Sequence, residues 1–443
     1  MDSILIKNGL LVNRGTTTAK DVFIKNGRIE RVGNTLNVSA DTEIDATGKY
    51  ILPGIIDDQV HFREPGLTHK GNIATESRAA VAGGVTSYME MPNVNPPAVT
   101  QTLLQEKYDI AARNSLANYS FYMGTTNDNI EEVLKTNGQN VCGVKIFMGS
   151  STGNMLVDME KTLDNLFSKV ELLIATHCED EATVRANNEV YKNQNPNATA
   201  SAHPIIRSRE ACFISSSMAI NLAKKHNTRL HVLHISSADE IALFTNTIPL
   251  SKKRITAEVC VHHLFFNEND YKTLGNLIKC NPAIKSESDQ KALFQALLDD
   301  RFDVIATDHA PHTWAEKSKP YYDAPSGLPL IQHTLPMMLD FYYRGMISLE
   351  RIVEKMSHAV ADCFQIEKRG YLDEGYWADV TIVDIDKTWM VSKENFLYKC
   401  AWSPLEGKIL RGMVEQTIVS GRLVYDKGRI IEAGAGQRML FER

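Results

Sequence analysis

Eight short apolar runs rich in β-branched residues recur between residues 55 and 307, and stretches with helical periodicity separate them. The runs are 55–62, 85–91, 118–123, 142–147, 171–177, 229–235, 254–260 and 302–307, with helical patterns at 72–82, 101–114, 207–226 and 286–298. Buried-looking strands alternating with helices imply a parallel sheet with helices packed on it, either closed into a (β/α)8 barrel or open and doubly wound. Count and length favour the barrel, although alternation alone also allows the open sheet.

The two ends of the chain read differently. Residues 3–49 carry short alternating strands punctuated by Asn8-Gly9 and Asn26-Gly27, and the style returns at 378–383 and 416–425. Each end offers too few strands to close a core, so a small composite β-sandwich built from both termini is expected. The implied organisation is 1–50 and 365–443 for the sandwich and 51–364 for the barrel.

Polar residues at the strand ends carry the chemistry. His61, Lys145, His177, His234 and Asp308 each fall at the C-terminal end of a different candidate strand. In a (β/α)8 barrel those ends converge on one face, where catalytic groups gather. A lone histidine after a strand is more often a satisfied polar residue than a ligand. Five such groups in matching topological positions point to a metal centre. Imidazole and carboxylate donors suit Zn2+, as one or two ions. A lysine fits only as a neutral amine that has captured CO2, because the carbamate on Lys145 would then offer two oxygens to metals. Burial and nearby positive charge supply that neutral form.

With these residues in place, the chain resembles the amidohydrolase superfamily, in the cyclic-amide branch that contains dihydroorotases, hydantoinases and allantoinases. The resemblance runs over almost the whole chain. It rests on the opening strand through Asp57-Asp58-Gln59-Val60-His61-Phe62-Arg63-Glu64-Pro65-Gly66, then Gly143-Val144-Lys145-Ile146-Phe147 and His177-Cys178-Glu179-Asp180. It continues through Leu233-His234-Ile235, Glu258-Val259-Cys260-Val261-His262-His263 and Thr307-Asp308-His309-Ala310-Pro311-His312.

The resemblance implies that His61, Lys145, His177, His234 and Asp308 bind metal, and that Asp308 is base and then acid for an attacking water. Arg63, Asn93 and His312 resemble the dihydroorotase clamp for a ring carboxylate, which an allantoin or dihydropyrimidine lacks. Asn281 would contact the ring, backbone amides near Gly327 would bind ring polar atoms, and Thr152 would close over substrate from a lid. The implied substrate pair is (S)-dihydroorotate and N-carbamoyl-L-aspartate in de novo pyrimidine synthesis. His262 and His263 read as ending the seventh strand without binding metal, and His69, His203, His226, His333 and His358 lack a supporting context.

One position departs from the pattern. The family run Asp-x-His-x-His has Gln59 here in place of its first histidine, and period-two spacing still turns Gln59 inward with His61. A glutamine carbonyl ligates weakly, so the first metal is held loosely or the centre works with one ion. The alternatives are a hydrolase of a hydantoin, dihydropyrimidine or allantoin, opposed by Arg63, and an inactive structural relative, opposed by the retained ligands.

Composition limits the partners. A net charge of −6 without basic runs gives no footprint for nucleic acid, and no run approaches 18 apolar residues, so no membrane span is expected. The odd, scattered seven cysteines fit reduced thiols in a cytoplasmic protein, and the start of the chain lacks a signal-peptide layout. A small-molecule substrate is the expected partner, with a homo-oligomer expected by family analogy.

Overall fold

The computed structural model describes residues 3–149, 154–434 and 436–443. Two parallel ladders form its centre. One joins Ile55–Val60, Val85–Glu90 and Asn118–Phe121; the other joins Met123–Gly124, Val144–Phe147, Ile174–His177, Leu230–Val232, Ile255–Cys260 and Val304–Ala306. Only Tyr122 separates Asn118–Phe121 from Met123–Gly124, so these two pieces are one bent strand. A parallel bridge between Val60 and His309 joins the last strand to the first. The eight strands therefore close into a (β/α)8 barrel, and the open sheet is excluded.

Helix boundaries follow from local chemistry. Ile73–Ala82 starts at Asn72, whose Oδ1 accepts the Thr75 amide at 2.8 Å. Ser286 and Asp289 exchange the reciprocal bonds of a capping box at the head of Glu287–Leu298. Arg209–His226 starts two residues later than the apolar period suggests, because Ser208 takes the cap position and accepts the Ala211 amide. It ends at Asn227, which adopts the left-handed conformation (φ 54°) that closes many helices.

Both termini share one nine-stranded sheet. Its seam pairs Tyr50–Pro53 antiparallel with Val380–Met390, with Ile51 opposite Ile382. Inward residues from the two ends, including Ile4, Ile6, Val22, Ile24, Ile51, Val380, Ile382 and Ile418, form a single apolar cluster. Neither end buries these side chains alone, which is why the sheet needs both. The last residues leave that sheet: Tyr119 donates to Gln437 O, Met439 donates back to Tyr119 O, and Met439 and Phe441 join an apolar cluster with barrel residues.

All seven cysteines are free and buried. Among the described residues no helix is long and apolar enough to cross a membrane.

Candidate active site

The C-terminal ends of the barrel strands surround a cavity of about 630 Å3. Gln59, His61, Lys145, His177, His234 and Asp308 line it together with Arg63, Asn93, Asn281, His312 and Gly327. Every candidate site residue read from the sequence lies on this one cavity except Thr152, which falls outside the described residues.

Backbone geometry aims these side chains. Arg63, His234 and Asp308 have φ of 72°, 39° and 47°, a left-handed region that costs a non-glycine residue about 1–3 kcal/mol. Hydrogen bonds hold them there. The His234 amide donates to Glu258 Oε1 at 2.8 Å, and Asp57 accepts from both the Thr307 amide and the Thr307 hydroxyl, at 3.2 and 2.6 Å. The His309 amide then donates to Thr307 Oγ1, and the His61 amide to His309 O, so Asp57 fixes the turn that presents both Asp308 and His61.

Two imidazole groups line the cavity together with Lys145. On one side His61 Nε2 lies 3.1 Å from Asp308 Oδ1, while His61 Nδ1 lies 2.8 Å from Asn93 Oδ1. A proton on Nδ1 donated to Asn93 leaves the Nε2 lone pair toward the cavity. On the other side His177 Nδ1 lies 2.9 Å from His234 Nε2, and His177 Nε2 sits 3.0 Å from Glu179 Oε2. Glu179 is buried, which favours its neutral form, but Arg207 and His177 outweigh that and hold its carboxyl well below the usual range. A carboxylate backing a histidine is the outer-shell arrangement of metal-binding imidazoles.

Lys145 completes the set. Its amine is buried and makes no hydrogen bond among the described residues. Burial lowers its pKa to about 7 against the opposing pull of Glu258 and Asp308. An orphaned amine that loses its proton this readily, amid imidazoles and a carboxylate, fits a lysine that gains oxygen ligands as a carbamate. His234 Nδ1 is likewise without a hydrogen-bond partner. The donor set therefore fits a borderline divalent cation.

Beside this group the cavity is cationic. Arg63 is 7% exposed, and its Nε donates to Pro311 O at 3.0 Å. Among the described residues it forms no ion pair with a carboxylate, so a surface salt bridge to Glu64 or Asp58 is excluded. Burial lowers its pKa to about 10. His312 lies 3.1 Å from Arg63 Nη2 and accepts from Lys70 Nζ through Nδ1 at 3.1 Å. Burial, then Arg63 and Lys70, push its pKa far down and keep the ring neutral.

Three expectations change in detail. The Gly327 amide is not free for a ring, because it donates to Lys279 O at 2.8 Å; a Cβ there would meet Ala310 O at 2.5 Å, so the glycine serves close packing. The Asn93 carbonyl is engaged by His61 and orients that ring, a contact additional to any donor role of its side-chain NH2. His203, which lacked a context in sequence, bonds Cys280 O at 2.8 Å and lies 3.2 Å from Asn281 Oδ1. No local pattern connects residues 203 and 281; only the fold brings them together.

The family profile for the amidohydrolase family matches residues 50–424. The chain belongs to the amidohydrolase family. This amidohydrolase is 32% identical to the dihydroorotase of Halobacterium salinarum over 95% of its length and 96% of the relative's. It is 31% identical to the dihydroorotase of Pyrococcus abyssi over 100% of its length and 99% of that protein. Among solved structures, an L-hydantoinase (dihydropyrimidinase) from Arthrobacter aurescens superposes with a TM-score of 0.94 at 27% identity, covering 99% of this chain and 100% of that one. A Brevibacillus agri dihydropyrimidinase gives 0.89 at 23% identity over 100% of both chains, which shows the shared fold. The amidohydrolase is thus a hydrolase of cyclic amides, in a family that depends on metal.

Proposed function

We infer that this amidohydrolase interconverts (S)-dihydroorotate and N-carbamoyl-L-aspartate in pyrimidine synthesis, a reading that its relatives named dihydroorotase support. The observation that carries this reading is Arg63, a buried guanidinium on the cavity wall without a carboxylate ion pair among the described residues. An unmatched buried charge is costly, and a ring carboxylate offers the charge-assisted partner it lacks. Hydantoin, dihydrouracil and allantoin bring no such group. Pro311 O holds Nε, which leaves Nη1 to the substrate.

His61, Lys145 as its carbamate, His177, His234 and Asp308 are the residues that would hold one or two zinc ions, with Gln59 a weak sixth. Metal bound there supplies a more acidic water and a Lewis acid for the amide carbonyl. Asp308 takes the proton of the attacking water on its carboxylate and passes it to the leaving ring nitrogen, so one group serves as base and then acid. Its Oδ1 already lies 3.1 Å from His61 Nε2, within the donor cluster. In the reverse direction the same carboxylate accepts the proton as the ring closes. Asn281, held by His203, borders the space where the ring sits. Seven buried free thiols suit a cytoplasmic setting.

A ring-opening assay with dihydroorotate, dihydrouracil, hydantoin and allantoin tests the reading. Turnover of dihydroorotate alone is expected. Turnover of an uncharged ring without dihydroorotate would assign the chain to the hydantoinase type, and no turnover of any ring would favour a structural relative marked by Gln59.

A further inference from the structure

The seventh strand, Ile255–Cys260, ends in a second group of metal-type donors that the proposed reaction leaves unused. Ligand atoms of Cys260, His262 and His263 all lie within 4.8 Å of one another, and all three residues are buried. Among the described residues neither nitrogen of His262 makes a hydrogen bond of full geometry, the Thr307 backbone being a polar neighbour. His263 Nε2 lies 3.1 Å from Pro282 O, so its proton sits on Nε2 and its Nδ1 presents a lone pair, again without a partner. Buried polar atoms nearly always find partners, and leaving them unmade costs stability. Here one nitrogen from each ring lies beside the Cys260 thiol, which donates to Glu258 Oε1 at 3.3 Å.

We propose that Cys260, His262 and His263 form a separate metal site for a borderline divalent cation such as zinc. One thiolate and two imidazoles are a common set for that ion and leave a fourth position open. The backbone carbonyl behind His263 fixes its tautomer, as outer-shell groups do for metal-binding histidines. Coordination releases the thiol proton. The site shares no ligand with the Lys145 cluster but adjoins it, since Cys260 Sγ lies 3.8 Å from Gln59 Oε1. A third buried group, Asp58, His231 and Glu258, carries no such inference because His231 lies in ion-pair range of Asp58 at 3.0 Å and its Nδ1 lies 2.7 Å from Thr256 Oγ1. The proposal does not depend on which ring the enzyme opens.

Cobalt(II) substitution tests it. Protein stripped with a chelator and reloaded with cobalt should show the intense near-ultraviolet charge-transfer absorption of a thiolate–cobalt bond. Cys260→Ala should abolish that band and bind one equivalent of cobalt fewer, whereas Cys178→Ala and His177→Ala should retain the band. His263→Gln provides a second variant, expected to lose the same equivalent. A wild-type cobalt protein without the band overturns the proposal, as does a band that survives Cys260→Ala or disappears in Cys178→Ala.

Discussion

Gln59 donates its side-chain amide to Asp308 Oδ1 at 3.3 Å, the same oxygen that lies 3.1 Å from His61 Nε2. The glutamine thus spends its donor on the carboxylate, and its carbonyl Oε1 rests 3.8 Å from Cys260 Sγ. An imidazole at this position would instead offer a strong nitrogen ligand. Gln59→His should therefore tighten metal binding by at least the ~10-fold that outer-shell partners alone are worth. Metal retained after dialysis against graded chelator measures this. Equal retention by both proteins would show that position 59 does not limit the site.

Asp308→Asn should stop turnover while the fold survives. Asparagine tolerates the left-handed backbone that Asp308 adopts at φ 47°, and it fills the same volume. What it loses is the ability to take and return a proton, a contribution of roughly 10^2–10^4-fold in rate. The thermal melting midpoint and the circular dichroism spectrum should stay close to the wild type. Substantial residual kcat on dihydroorotate would remove Asp308 from the proton-transfer role.

The barrel and most of the site are legible in sequence because strand periodicity and topology are both regular. A polar residue at the end of an apolar strand or one or two positions past it is a candidate for the cavity rim, which is how His61, His177, His234 and Asp308 are recognised. Supporting contacts obey no such rule. His203 reaches Asn281, and Lys317 binds the carbonyls of Lys279, Pro325 and Gly327 at 3.2, 3.0 and 2.8 Å. These lysine bonds fix the loop on which Gly327 sits, yet nothing in a basic residue's local context announces them. Gly327 shows the same limit, since its amide donates to Lys279 O, a carbonyl distant in sequence that no local pattern points to.

Lys145 should set an acid limit on metal loading. Burial, opposed by Glu258 and Asp308, lowers its pKa from 10.5 to about 7. Only the neutral amine captures CO2, so carbamate formation should be favoured above about pH 7 and fall away below it. In metal-free protein the unfolded chain holds the extra proton between about 7 and 10.5, so this lysine adds stability as pH rises through that window. Carbon-13 NMR after loading with labelled bicarbonate should show a carbamate signal that fades in acid and is missing from Lys145→Arg. Full metal occupancy without that signal would rule out the carbamate.

Arg63→Ala should raise KM for dihydroorotate far more than it changes the folded state. The guanidinium is buried without a carboxylate partner among the described residues, so removing it relieves a desolvation cost in the free protein. The bound complex loses a charge-assisted pair, a difference of about 2 kcal/mol or more. That corresponds to at least ~30-fold weaker binding. Dihydrouracil, which lacks the carboxylate, serves as the control, and whatever weak turnover it shows should be little affected. Arg63→Lys keeps the charge but not the planar fork, so it should recover only part of the affinity. An unchanged KM for dihydroorotate in Arg63→Ala would place the carboxylate elsewhere in the cavity and remove the main support for a carboxylated ring as substrate.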